Sequence, residues 1–224
     1  GLSGVDYNRA HLLLLDTDGQ ELWHHVRKIR HYYHGKPDGG GSIARLVDID
    51  MDGRKEIIAF TTAEHALKPR GIIAYDNNAR ELWRYLIGPK PHNIVIWENR
   101  GRRPDIIIGT YSSADGNHEM HNDTNDMLSY LISVDGYGKT NWVRRMGEYY
   151  TGVGVLLGNL DKNGHQYLYA HKFTSSKLRE DDGGIYKISK SGKILQRFDT
   201  QNSILSLAVT SPTSDRVESF YAAD

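Results

Sequence analysis

One short pattern recurs along this chain of 224 residues and limits what it can fold into. An Asp is followed, after six residues that include a turn, by a Trp: Asp16 to Trp23 (DTDGQELW), Asp76 to Trp83 (DNNARELW) and Asp135 to Trp142 (DGYGKTNW). A worn fourth copy runs from Ser189 to Gln196 (SKSGKILQ). Successive anchors lie 60, 59 and 54 residues apart. A period in this range means an array of like supersecondary units, each covering its neighbour's apolar face. The residue types fit that role. Asp, Asn and Gly supply tight-turn chemistry between two strands. The Trp then falls on an outer strand, where a large flat ring can bury against the adjacent unit. Trp23, Trp83 and Trp142 are therefore expected to be structural docking residues.

Between the anchors the chain reads as short apolar runs with strand-like alternation and β-branched enrichment. Each full repeat has four, A to D. The first full repeat has them at 43–48, 56–61, 71–76 and 80–87. The second has them at 92–97, 105–111, 128–135 and 139–146, and the third at 152–158, 166–172, 184–189 and 193–199. Residues 11–26 form a C–D pair with no A or B ahead, and residues 204–223 an A–B pair with no C or D behind. No segment has a helical period. The expected fold is all-β: one domain over 1–224, a β-propeller of four four-stranded antiparallel blades. The blades are 43–87, 92–146, 152–199, and a composite of 204–224 with 1–26, in which the terminal pairs zip together and close the ring. A piece of a larger seven- or eight-bladed ring, or a ring shared by two chains, satisfies the same count.

The C–D hairpins resemble the tryptophan-docking motif of quinoprotein-like propellers. The stretch VDIDMDGRKEIIAF resembles the FG-GAP/VCBS repeat of integrin-like and bacterial extracellular propellers. Together these likenesses cover nearly the whole chain. They imply a scaffold rather than a reaction. Quinoprotein dehydrogenases hold their cofactor at a dedicated site in longer rings; no such site is found here, and no PQQ is expected.

The sharpest chemical signal is Asp48-x-Asp50-x-Asp52-Gly53-x-x-Glu56. Ca²⁺ takes about six to eight oxygens, and alternate carboxylates on a tight loop converge on one point. Gly53 permits the turn, the Arg54 carbonyl offers a further oxygen, and Glu56 closes the shell. Ala59 stands where an EF-hand has its bidentate Glu, and a strand follows instead of a helix. The FG-GAP resemblance likewise implies Ca²⁺ between strands A and B. A structural Ca²⁺ held by Asp48, Asp50, Asp52, Arg54 and Glu56 is the reading, against a plain acidic turn. Asn159, Asp161, Asn163 and Gly164 keep the loop's shape in the third full repeat, but Tyr167 replaces the closing acid.

Net charge is zero, so the Lys and Arg surplus that a nucleic-acid binder uses to displace counterions is missing. No apolar run reaches the roughly 18 residues of a membrane span. There is no Cys, hence no disulfide framework and no thiol nucleophile. No nucleophile elbow, phosphate loop or HExxH motif occurs. The B–C loops (62–70, 112–127, 173–183) and D–A crossovers (27–42, 147–151) are long and should share one face, where binding usually sits. Tyr32, Tyr33, Tyr149 and Tyr150 occupy corresponding crossovers, as ligand-face candidates or as packing around the axis. Asp115, His118, His121 and Asp123 are read as a mobile polar loop sooner than as a zinc site. The expectation is a non-catalytic, calcium-stabilised module recognising a protein or glycan, with no nucleic acid and no membrane insertion. It is a monomer or ring-sharing dimer, extracytoplasmic (periplasmic or extracellular), the sensor or adhesion part of a larger protein. The alternative is a polysaccharide lyase or glycoside hydrolase on the same scaffold.

Overall fold

The computed structural model describes residues 9–28, 32–33, 36–37, 44–61, 70–113, 120–160, 163–174, 183–200, 202–209 and 220–223. The described residues form eighteen strands and no helix: β1 (Arg9–Leu15), β2 (Glu21–Lys28), β3 (Tyr32–Tyr33), β4 (Lys36–Pro37), β5 (Ala44–Val47), β6 (Glu56–Thr61), β7 (Gly71–Tyr75), β8 (Glu81–Leu86), β9 (Lys90–Asn99), β10 (Arg102–Tyr111), β11 (Ser129–Asp135), β12 (Thr140–Gly147), β13 (Thr151–Leu157), β14 (Leu168–Thr174), β15 (Gly184–Ile188), β16 (Ile194–Asp199), β17 (Ser206–Val209) and β18 (Phe220–Ala223).

The strand pairing corrects the expected architecture. β5 to β8 form a four-stranded sheet in sequence order, but β9 to β16 belong to one eight-stranded sheet. Its halves join where Tyr111 of β10 pairs with Gly152 of β13. The terminal pairs do not zip together. β1–β2 and β17–β18 are separate two-stranded sheets, and β3–β4 is a third. The chain is all-β, with sheets of two, four and eight strands, and it is not a four-bladed propeller closed by its ends. Instead of offering an edge to β18, β1–β2 lays one face, Leu12, Leu14 and Trp23, on Ile57, Ala59, Ile73 and Tyr75 of β6 and β7.

Sheets stack face to face, and this explains the unbroken apolar runs. Ile58, Phe60, Ile72, Ala74 and Tyr85 of the four-stranded sheet pack on Ile94, Ile106, Ile108, Ile132 and Val134. The opposite face of β10 and β11, through Ile107 and Leu131, packs on Val153, Val155, Leu168, Ala170 and Ile188. A strand covered on both faces has no polar face to show, so EIIAF and DIIIG do not alternate. Each fully buried Ile contributes about 1.5–3 kcal/mol.

The four hairpin turns share one construction. The carboxylate of Asp16 accepts the N–H groups of Asp18 and Gln20. Asp76 does the same for Asn78 and Arg80, and Asp135 for Tyr137 and Lys139. In the worn copy the Ser189 hydroxyl accepts Lys193 N–H. Each turn then needs one left-handed residue, supplied by Gly19, Ala79, Gly138 and Gly192 (φ +80, +62, +80 and +78°). This accounts for both Asp and Gly in the repeat.

Candidate functional site

The loop after β5 brings carboxylates together. Oxygens of Asp48, Asp50 and Glu56 lie within 4.8 Å of one another. Backbone donors set the loop. Asp48 accepts Asp52 N–H at 3.1 Å and Gly53 N–H at 2.9 Å, and Asp50 accepts Asp52 N–H at 3.1 Å. Met51 and Gly53 take positive φ to make the bend. Asp52 is outside the triad; its carboxylate accepts Arg54 N–H at 2.7 Å. Glu56 is buried and accepts Ile49 N–H at 2.8 Å. Burial raises the Glu56 pKa most, and the charges of Asp50, Asp52 and Asp48 add to the rise against that backbone bond. Three carboxylates this close could hold a hard divalent cation through oxygen alone. Asp161 of the related loop lies outside the described residues.

A second constellation forms at the other ends of the strands, on the seam inside the eight-stranded sheet. Tyr111 ends β10, His92 opens β9, and His171 and Phe173 close β14. The Phe173 ring stacks on Tyr111 (centroids 6.2 Å apart, planes 7° apart) and tilts against His92 at 4.8 Å and His171 at 6.3 Å. Register creates the cluster: Tyr111 is opposite Gly152, and Gly152 is opposite Phe173. A side chain at Gly152 would overlap the Phe173 ring, and one at Gly154 the imidazole of His171. Asn93 spans the seam as a strand would, donating to the Val155 carbonyl at 2.7 Å and accepting Val155 N–H at 3.1 Å.

Tyr149 and Tyr150 stand beside this seam, with ring centroids 5.3 Å apart and edge to face. Tyr150 adopts φ +61° while 38% exposed. Left-handed backbone is costly for a bulky residue, and such strain concentrates at functional sites. The surroundings hold it there. Its N–H donates to the Ser112 carbonyl, and its carbonyl accepts the Thr174 hydroxyl at 3.1 Å. His171 Nδ1 donates to the Ile204 carbonyl at 2.6 Å, which leaves Nε2 as an acceptor. Burial lowers the pKa of His171. At His92, whose ring is partly open to solvent, loss of hydration and the nearby His171 act in the same direction.

The structure thus ties the Tyr150 backbone to Ser112 and Thr174, the chain neighbours of Tyr111 and Phe173, whose ring cluster sequence reasoning missed. The available signal was Gly152-x-Gly154, two gaps opposite two large rings. Tyr32 and Tyr33 form β3, and their side chains lie outside the described residues, as do Asp115 and His118. His121 is described and pairs backbone to backbone with Thr124. Of the loops 62–70, 112–127 and 173–183, residues 62–69, 114–119 and 175–182 also lie outside.

The docking tryptophans are not alike. Trp83 Nε1 donates to the Gly136 carbonyl at 3.2 Å, and Trp142 Nε1 to the Lys190 carbonyl at 2.9 Å. Each indole lies over the glycine of that turn, Gly138 or Gly192. Trp23 Nε1 is buried without a hydrogen-bond partner.

No family model matches this sequence, and no curated protein matches it. Among solved structures it is similar to the V. cholerae biofilm matrix protein Bap1, at 18% identity and a TM-score of 0.43. That match covers 92% of this chain and 36% of the other, so this chain spans little more than a third of that protein's length. Among the described residues, no helix is long and apolar enough to cross a membrane.

Proposed function

We propose that this chain is a non-catalytic recognition module, stabilised by Ca²⁺, that takes a protein or glycan ligand on the ring cluster of His92, Tyr111, Tyr149, Tyr150 and Phe173. The observation that carries the reading is Tyr150 held at φ +61° by Ser112 and Thr174, next in sequence to the stacked rings of Tyr111 and Phe173. Flat, amphipathic rings suit the apolar face of a sugar, and neutral histidines add acceptors without adding charge. Asp48, Asp50 and Glu56 would hold the ion at the opposite strand ends, which supports a structural role for it. Bound there, Ca²⁺ neutralises the loop and ties β5 to β6. An extracytoplasmic location accords with that ion and with the absence of cysteine.

A glycan array followed by titration calorimetry tests the ligand reading. Tyr150→Ala and Phe173→Ala should each weaken binding at least about tenfold, the loss of one stacking contact of about 1.4 kcal/mol. Undiminished binding in both variants removes the cluster from the site, and turnover of a bound glycan replaces the module with an enzyme. Chelation tests the ion. At a hundredfold excess over its Kd, a ligand stabilises the fold by about 2.7 kcal/mol. EGTA should then lower the melting temperature by roughly 5–10 °C in a chain of this size. Asp50→Ala should lower it similarly and abolish the EGTA effect; an unchanged melt rules the ion out.

A further inference from the structure

Three hairpins of this chain lie under the unit before them, and one does not. The residues three and one before the turn's leading Asp or Ser are Ile73 and Tyr75, Ile132 and Val134, and Tyr186 and Ile188, all buried. The preceding sheet covers each pair. The same positions in the first hairpin are Leu13 and Leu15, and they are 48% and 50% exposed. Its turn is bare as well. Gly138 and Gly192 each lie under an indole, whereas a Cβ at Gly19 would meet nothing within 4 Å among the described residues. The Thr17 carbonyl there corresponds to the Gly136 and Lys190 carbonyls that accept indole N–H groups. The first hairpin therefore carries a complete copy of a surface that the molecule covers elsewhere.

The other end of the array presents the matching side. β16 is exposed along its whole length, and its Gln196 and Phe198, paired with Lys187 and Ile185, lie on the face turned away from the buried Tyr186 and Ile188. Gln196 stands at the docking-Trp position, and its amide can donate to a turn carbonyl as an indole does. The charges are complementary: Asp16, Asp18 and Glu21 flank the bare turn, and Lys187 and Lys193 stand beside Gln196, while Arg197 pairs with Asp199.

We propose that a second copy of this chain docks head to tail, with the β15–β16 end of one protomer seated on Leu13, Leu15 and the 16–20 turn of the next. The contact repeats packing already made three times within the molecule, twice with a docked indole. It is heterologous, so each added copy leaves a fresh surface of the same kind exposed.

Sedimentation velocity of the full chain tests this. The wild type should self-associate in the micromolar range. Leu13→Asp combined with Leu15→Asp should weaken association by at least about a hundredfold, the loss of two apolar anchors. Both positions are exposed, so the monomer's melt should stay unchanged, which separates lost docking from lost folding. Gln196→Trp should tighten association by about tenfold, the gain of one docked aromatic side chain. Gly19→Ala should cancel that gain; Ala79 shows that the turn tolerates the methyl group. A wild type that stays monomeric throughout that range overturns the proposal, and so does association that survives the Leu13 and Leu15 substitutions.

Discussion

The hairpins ending in Trp83 and Trp142 differ from the one ending in Trp23 in what the indole meets and in the left-handed residue of the next hairpin turn, Gly138 or Gly192 against Ala79. Trp83 and Trp142 lie over turns whose left-handed residue is Gly138 or Gly192, and both indoles donate to a turn carbonyl. The turn at the corresponding place for Trp23 has Ala79 at φ +62°. Trp23 still packs on Ile57, Ala59, Ile73 and Tyr75, but its Nε1 has no partner. The comparison separates two things that the repeated motif conflates. The Asp makes the turn by accepting two N–H groups, and it does so equally well under Gly or Ala. Docking also needs the room that only the glycine leaves.

The largest test of this contrast replaces the rings. In urea melts, Trp83→Ala should cost about 3–5 kcal/mol, the loss of a large buried aromatic together with its hydrogen bond. Trp23→Ala should cost about 2 kcal/mol, from apolar burial alone. Equal losses would show that the indole bond to the turn contributes nothing. Next in size, Gly192→Ala puts a methyl group 2.6 Å from the Trp142 ring at φ +78°. It should destabilise by about 2 kcal/mol or more, and the Trp142 indole N–H should become solvent-exchangeable in NMR spectra. The reverse change, Ala79→Gly, should stabilise by about 1 kcal/mol and protect the Trp23 indole N–H from exchange. A loss of stability there would break the comparison outright.

The smallest effect concerns the seam, where His171 does for β14 what the indoles do for the turns: a ring nitrogen fixed to a distant carbonyl. Burial lowers its pKa, so below the ordinary value of about 6.5 the unfolded chain binds more protons than the folded one. Stability is then fully present above that value and falls as pH drops through the window down to the lowered folded pKa. Melting temperatures should decline on acidification from pH 7.5 to pH 5.5, and His171→Gln should flatten the curve. A curve of the same slope in that variant would move the titration to another group.

How much of this was legible in the sequence follows from the range of the forces involved. Strands β5 to β16 were readable because their cues are local: Asp and Gly at turns, apolar runs between them. The carboxylates of Asp48, Asp50 and Glu56 were readable because one loop carries all three. The path of the ends was not. Whether β1–β2 pairs through its edge or packs through its face depends on Leu12, Leu14 and Trp23 finding Ile73 and Tyr75, contacts across some sixty residues that no local pattern encodes. The ring cluster was hidden for the same reason. His92, Tyr111 and Phe173 meet only because Gly152 sets the register of β13 against both β10 and β14.

That short stretch of pairing around Tyr111 and Gly152 has a mechanical consequence. A continuous ladder resists torsion through many parallel amide bonds, but here the backbone bonds across the seam are confined to residues 111–112 and 150–152, helped by Asn93. Relative twisting of the halves is therefore opposed by fewer backbone bonds than bending within either half. Anything that stacks on the rings of Tyr111 and Phe173 acts as a splint across the crease, turning occupancy of one small patch into stiffness over eight strands.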